Sequence, residues 1–115
     1  EKLAYATDYC GVISGRDVDK FKELNLTREK ADYVKAPLIA ESPVNIECRV
    51  KQIIKLGSHD MFLANVLSVH ADQSYIDSNK KFHLNKAKPL VYSHGEYYGL
   101  GKRLGKFGYS VKKKH

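Results

Sequence analysis

Between Val44 and Ala71 two long stretches with strand periodicity are separated by one Gly-Ser pair, and no other feature constrains the fold of this chain as strongly. Val44, Ile46, Cys48 and Val50 alternate with Asn45, Glu47, Arg49 and Lys51. Successive side chains of a strand point to opposite faces, so the spacing predicts a half-buried strand with its Val/Ile/Cys side inward. Pro43 stands just ahead of it, where a missing amide is tolerated. Gly57-Ser58 supplies the turn. Met61 to Ala71 then carries Phe62, Leu63, Val66, Leu67 and Val69, apolar on both faces, as in a strand covered from two sides. Two long neighbouring strands with a short connection imply an antiparallel meander or barrel.

The flanks read as short helices, turns and short strands. Leu3, Ala6 and Cys10 share a helical face, which predicts a helix over residues 2–10 with Gly11 as its stop. Residues 11–15 are a turn. Ser14 and Asp17 have the spacing of a capping box, which predicts a second helix with Val18, Phe21 and Leu24 on its inner side and Asn25 at its end. Thr27 is placed to cap a further helical turn over residues 28–34. Residues 77–80 are a polar turn, and residues 89–92 and 96–98 are short strands broken at His94-Gly95.

At 115 residues the chain is one domain's worth, long enough to bury a core. No run of eighteen apolar residues occurs, so no membrane-spanning helix is expected. Cys10 and Cys48 are far apart and form no Cys-x-x-Cys pair, which fits a reducing, cytoplasmic setting. The net charge of +7 is concentrated: six Lys and Arg lie between Gly101 and His115 with no acid, and the preceding chain is nearly balanced at +1. Such an end is usually a solvated tail, less often an arm for phosphates.

Three apparent motifs lead nowhere. Gly99, Gly101 and Gly105 miss the dinucleotide fingerprint, and too little chain follows to build its strand–helix unit. His59, His70, His83, His94 and His115 are scattered without ligand spacing. Cys10, on an apolar helix face, reads as a packed thiol.

Several stretches resemble the flavoredoxin-type flavin reductase family: residues 8–21 (DYCGVISGRDVDKF), 35–48 (KAPLIAESPVNIEC), 56–62 (LGSHDMF), 88–98 (KPLVYSHGEYY) and 104–108 (LGKFG). They follow the family's order and cover nearly the whole chain. The resemblance implies a mainly β fold, an FMN-binding split β-barrel with Greek-key connections and a few short helices. It also implies FMN as cofactor, electron transfer from NAD(P)H to flavin or to a redox partner protein, and a homodimer. Members carry an N-terminal section with the first barrel strands. Residues 1–115 are therefore expected to be a single flavin reductase-like domain, truncated at its N-terminus.

FMN needs a phosphate cradle, a flat apolar slot and donors to the polar edge of its ring. Ser14, Gly15 and Arg16 are the cradle candidates: amides at a helix start carry partial positive charge, Gly15 allows close approach, and Arg16 offers a fork matched to phosphate oxygens. Lys20 lies one turn further on. The plainer alternative is that Ser14 only caps a helix and Arg16 is solvated. His94 and Tyr97 are the ring-side candidates, since the resembling segment lies near the flavin and a tyrosine can stack on a flat heterocycle. The alternative is that the tyrosines here are half-buried strand residues. Hydride transfer requires no acid–base residue, so the absence of a nucleophile or carboxylate dyad is compatible with this chemistry. Two other readings compete: a small basic β-barrel binding nucleic acid through the Lys-rich end with Phe107 and Tyr109, and a non-catalytic fragment that oligomerises through unpaired edges. The near-neutral body of the chain argues against the first.

Overall fold

A computed structural model describes residues 1–113; Lys114, part of the basic end, and His115, one of the scattered histidines, lie outside the described residues. The order of elements is helix α1 (Ala4–Val12), helix α2 (Lys20–Glu23), and strands β1 (Arg28–Glu29), β2 (Leu38–Ile39), β3 (Val44–Lys55), β4 (Asp60–Ala71), β5 (Leu90–Ser93) and β6 (Glu96–Gly99). The molecule is mainly β with a few short helices. Its described strands pair as three antiparallel two-stranded sheets, β1–β2, β3–β4 and β5–β6.

The β3–β4 ribbon is the hairpin expected from the alternating pattern, four residues longer on β3 than the clearest alternation. Its register runs from Val44 opposite Ala71 to Lys55 opposite Asp60. Gly57 adopts φ +90° at the turn, and Lys55 and Asp60 close the end with a 2.8 Å ion pair. The ladder slips between Glu47 and Cys48 and again between Val50 and Gln52. Such bulges re-aim side chains and sharpen the twist. β5 and β6 meet at His94-Gly95, where both residues have positive φ (51° and 82°). Their twist suits a two-residue hairpin. Tyr92 and Tyr97 face each other across this hairpin, edge to face at 5.2 Å.

The expected apolar face of β3 is not buried, and the one buried residue of the strand is Glu47, from the polar set, whose members Arg49 and Lys51 are exposed. Glu47 is 1% exposed, whereas Ile46 is 56% exposed and Cys48 is also exposed. Nor is β4 covered from both sides within this chain: Phe62, Val66 and Val69 are all more than half exposed. A two-stranded ribbon cannot bury either of its own faces, so its apolar side chains stay open unless something packs on them. The buried apolar residues are Ala31 and Leu38, and they gather around the β1–β2 pair beside Glu47.

Three local expectations are also corrected. α1 continues through Gly11 to Val12 and stops at Ile13, whose amide still bonds the Tyr9 carbonyl. The second helix is a single turn capped by Asp19, not a helix starting at Ser14. Asp19 Oδ1 accepts the amides of Phe21 and Lys22, whereas Ser14 turns on itself: its Oγ accepts the Arg16 amide and its carbonyl the Asp17 amide. Residues 28–34 form strand and loop instead of a helical turn. Their donors go to distant acceptors: the Thr27 amide to the Glu41 carboxylate, and the amides of residues 32–34 to Glu47. With those amides satisfied across the fold, no i→i−4 ladder is needed.

Candidate functional site

The turn at residues 14–16 opens onto a hollow of about 570 Å³ lined by Gly15, Arg16, Asp17, Val18, Asp19, Lys20, Phe21 and Arg28. The fold therefore brings three of the four phosphate candidates to one place. The fourth, Ser14, lies behind them and ties down the Arg16 amide at 3.2 Å. The cradle is thus not a helix start, and the amides of Arg16 and of the following Asp17 are already used internally. What it retains is side-chain charge and a glycine with open space where a Cβ would stand.

The three cations of the hollow differ in how far they are committed. Lys20 Nζ donates to the Cys10 carbonyl at 2.6 Å, satisfying an acceptor in the last turn of α1. Arg28 pairs with Asp19 at 2.9 Å and lies 4.3 Å over the Phe21 ring. The Lys22 amide, and after it the Arg28 guanidinium, hold the Asp19 carboxyl below its usual range. Arg16 has no carboxylate within ion-pair distance among the described residues. It is the cation of this hollow best placed to meet an outside anion. The Phe21 ring lies beneath the Arg28 guanidinium, so the hollow offers a forked cation and an open glycine beside the carboxylates of Asp17 and Asp19. A forked cation beside an open glycine suits a phosphate oxygen.

A second hollow of about 520 Å³ adjoins the first through Arg28 and is lined by Glu29, Lys30, Ala31, Asp32, Tyr33, Val34, Lys35 and Pro37. None of its residues is among the binding candidates read from the sequence. Glu47 lies outside that lining but holds the backbone of three of its residues. Oε1 accepts the amides of Tyr33 (2.7 Å) and Val34 (3.2 Å), and Oε2 accepts the amide of Asp32 (3.1 Å) and the Nε2 of His70 (2.5 Å). Burial pushes this carboxyl up, but the imidazole and three amide donors outweigh it and hold it at about 2. Asp32 lies 3.8 Å from the same imidazole. The scatter of histidines in the sequence hid this Asp32–Glu47–His70 cluster. Because both Glu47 oxygens are already occupied by donors, it is a hydrogen-bonded clasp.

His94 and Tyr97 lie on the β5–β6 hairpin and line neither hollow. Tyr97 faces α1: burial, and next its hydrogen bond to Asp8, raise its phenol above the usual value. Tyr98 bonds the Glu96 carboxylate, which raises its phenol too. The structure therefore places the phosphate and ring-side candidates on two separate elements.

The family description "Flavin reductase like domain" matches residues 2–101 of the chain. An uncharacterized Bacillus subtilis protein, YdfE, is 33% identical over 92 residues, covering 76% of this chain and 44% of the relative. Flavoredoxin of Desulfovibrio vulgaris superposes with a TM-score of 0.86 at 30% identity, over 97% of this chain and 61% of that one. A Shewanella frigidimarina protein with a split barrel domain superposes at 0.73 with 16% identity, over 92% of this chain and 55% of that one; this is a likeness of fold alone. The chain spans less than two thirds of the length of each. The fold is that of the split-barrel proteins. Among the described residues no helix is long and apolar enough to cross a membrane.

Proposed function

The chain belongs to the flavin reductase-like domain family, and from that premise we propose that it is the FMN-binding part of a flavin-dependent oxidoreductase. The observation that carries the reading is the likeness to flavoredoxin over 97% of the chain at 30% identity. Bound FMN supplies two-electron chemistry, accepting hydride from NAD(P)H and passing electrons to a second flavin or a redox partner protein. The residues of this chain bind and orient.

Arg16 takes the phosphate, with Gly15 allowing close approach and Lys20 adding positive potential from the floor of the hollow. Ser14 acts from behind, holding the turn that presents Arg16. His94 and Tyr97 are the ring-side residues, presented by the tight β5–β6 turn. A second copy of the chain packs on the open apolar side chains of the β3–β4 ribbon, giving a homodimer. The two free thiols, Cys10 and Cys48, suit a cytoplasmic setting.

The test is anaerobic: the protein is mixed with FMN and then with NADH or NADPH, and the flavin absorbance band is followed. Bleaching faster than in the protein-free mixture supports the reading. Bleaching at the protein-free rate with both nucleotides refutes the catalytic half of it.

A further inference from the structure

Glu47 is the most deeply enclosed ionisable side chain among the described residues, and nothing in the proposed flavin chemistry uses it. It sits where the β3 ladder slips, and the slip points its carboxylate out of the ribbon and under the loop of residues 32–34. Four donors converge on it: three consecutive backbone amides and the Nε2 of His70 on β4. Since the carboxylate is acceptor-only, His70 must carry its proton on Nε2. The loop backbone is thereby held against β3, and residues 32–35 line the second hollow.

We propose that Glu47 is a positioning residue: through the 32–34 loop its buried carboxylate sets the wall of the second hollow and, through Arg28, which lines both hollows, supports FMN binding in the first. The ligand half rests on the flavin reading above; the clasp itself does not. Glutamate is required because no neutral isostere accepts four donors. Glutamine offers one oxygen and sets an NH₂ group against amide N–H groups, so at least one buried donor loses its partner. The loop then relaxes away from β3, and Arg28, shared by both hollows, loses the neighbours that frame it.

The protein carries its own control. Asp77 makes a second clasp of the same chemistry, accepting the amides of Asn79 and Lys81 and the His83 Nε2 at 2.7 Å. It holds a turn that lines neither hollow. FMN is titrated by flavin fluorescence into the wild type, Glu47→Gln and Asp77→Asn, and amide exchange is read by NMR. Glu47→Gln is expected to raise the FMN Kd by about ten-fold or more, with faster exchange at residues 32–34. Asp77→Asn is expected to leave the Kd unchanged. Equal Kd values for wild type and Glu47→Gln, or equal weakening by both variants, would overturn the proposal. If Glu47→Gln does not fold, His70→Ala, which removes one of the four donors, must weaken FMN binding by a smaller factor; an unchanged Kd overturns it equally. A wild type that binds no FMN removes the flavin reading and the ligand half with it. Exchange then decides the clasp: slow in wild type and fast in Glu47→Gln keeps it, and equal rates end it.

Discussion

Arg16→Ala is the substitution that most directly probes how the first hollow meets an anion. The guanidinium is unengaged by any carboxylate among the described residues, so its removal breaks no internal ion pair. It is also exposed, and the fold should barely register the change, by no more than about 0.5 kcal/mol. A hydrogen bond to a charged group contributes roughly 1.5–3 kcal/mol. The hollow is open to water on one side, which places Arg16 near the lower bound, about 1.5 kcal/mol, or about ten-fold in Kd. Lys20 and Arg28 do not compensate, since each already serves an internal partner. Arg16→Lys keeps the charge and loses the fork, and about half the loss is expected, near three-fold. The assay is equilibrium quenching of flavin fluorescence at two ionic strengths, with the effect of Arg16→Ala shrinking as salt rises. An FMN affinity equal to wild type at about 0.1 M salt, where the Debye length is still about 10 Å, refutes the role assigned to Arg16.

Other expectations follow from single features. The Glu47 carboxyl titrates lower in the folded protein than its free value of 4.5, so its clasp contributes fully above that pH and loses its contribution as pH falls toward about 2. Near-ultraviolet circular dichroism through that window should change less in Glu47→Gln than in wild type, since Asp19, Glu41, Asp72 and Asp77 are lowered in both; identical profiles contradict the clasp. Gly95, at φ 82°, should lose about 1–2 kcal/mol on replacement by Ala. Gly11→Ala, inside α1 with open space at its Cβ, should gain about 0.5–1 kcal/mol. Urea unfolding measures both, and the same sign for the two refutes the conformational argument. Val66→Lys on the open face of the ribbon should shift sedimentation from dimer to monomer, and an unchanged mass argues against that face as the contact.

The hairpins were legible because their signals are local. Alternation marked β3, the Gly57-Ser58 and His94-Gly95 pairs marked the turns, and both turns carry the positive φ that such residues favour. What failed depended on partners far away in sequence. Ser14 and Asp17 have capping-box spacing, but Asp19 accepts two amides with one carboxylate oxygen and takes the helix start from them. Thr27 looked like a cap until Glu41, fourteen residues on, accepted its amide. The apolar side of β3 was read as inward because hydrophobic burial is the ordinary rule. Glu47 is buried instead, held by three loop amides and a histidine on the neighbouring strand, none of which a periodicity can reveal. The same cause explains the sites. Gly15, Arg16 and Lys20 are close in sequence and were found together. The second hollow depends on a strand pairing with a loop some fifteen residues away, and it was missed. One signal did exist: an acid on the alternating strand, diagonal across the ribbon to His70, marks a cross-strand pair once the register is known.

The central claim is that this chain holds a flavin by its phosphate, and comparing FMN with riboflavin tests it most directly. The two share the ring and differ in the phosphate, so titrating both into the purified protein isolates the contribution of the hollow around Arg16. FMN binding at least about ten-fold tighter than riboflavin, with the gap closing in Arg16→Ala, is the predicted result. Equal affinities for the two flavins, or a gap that survives the loss of Arg16, would contradict it.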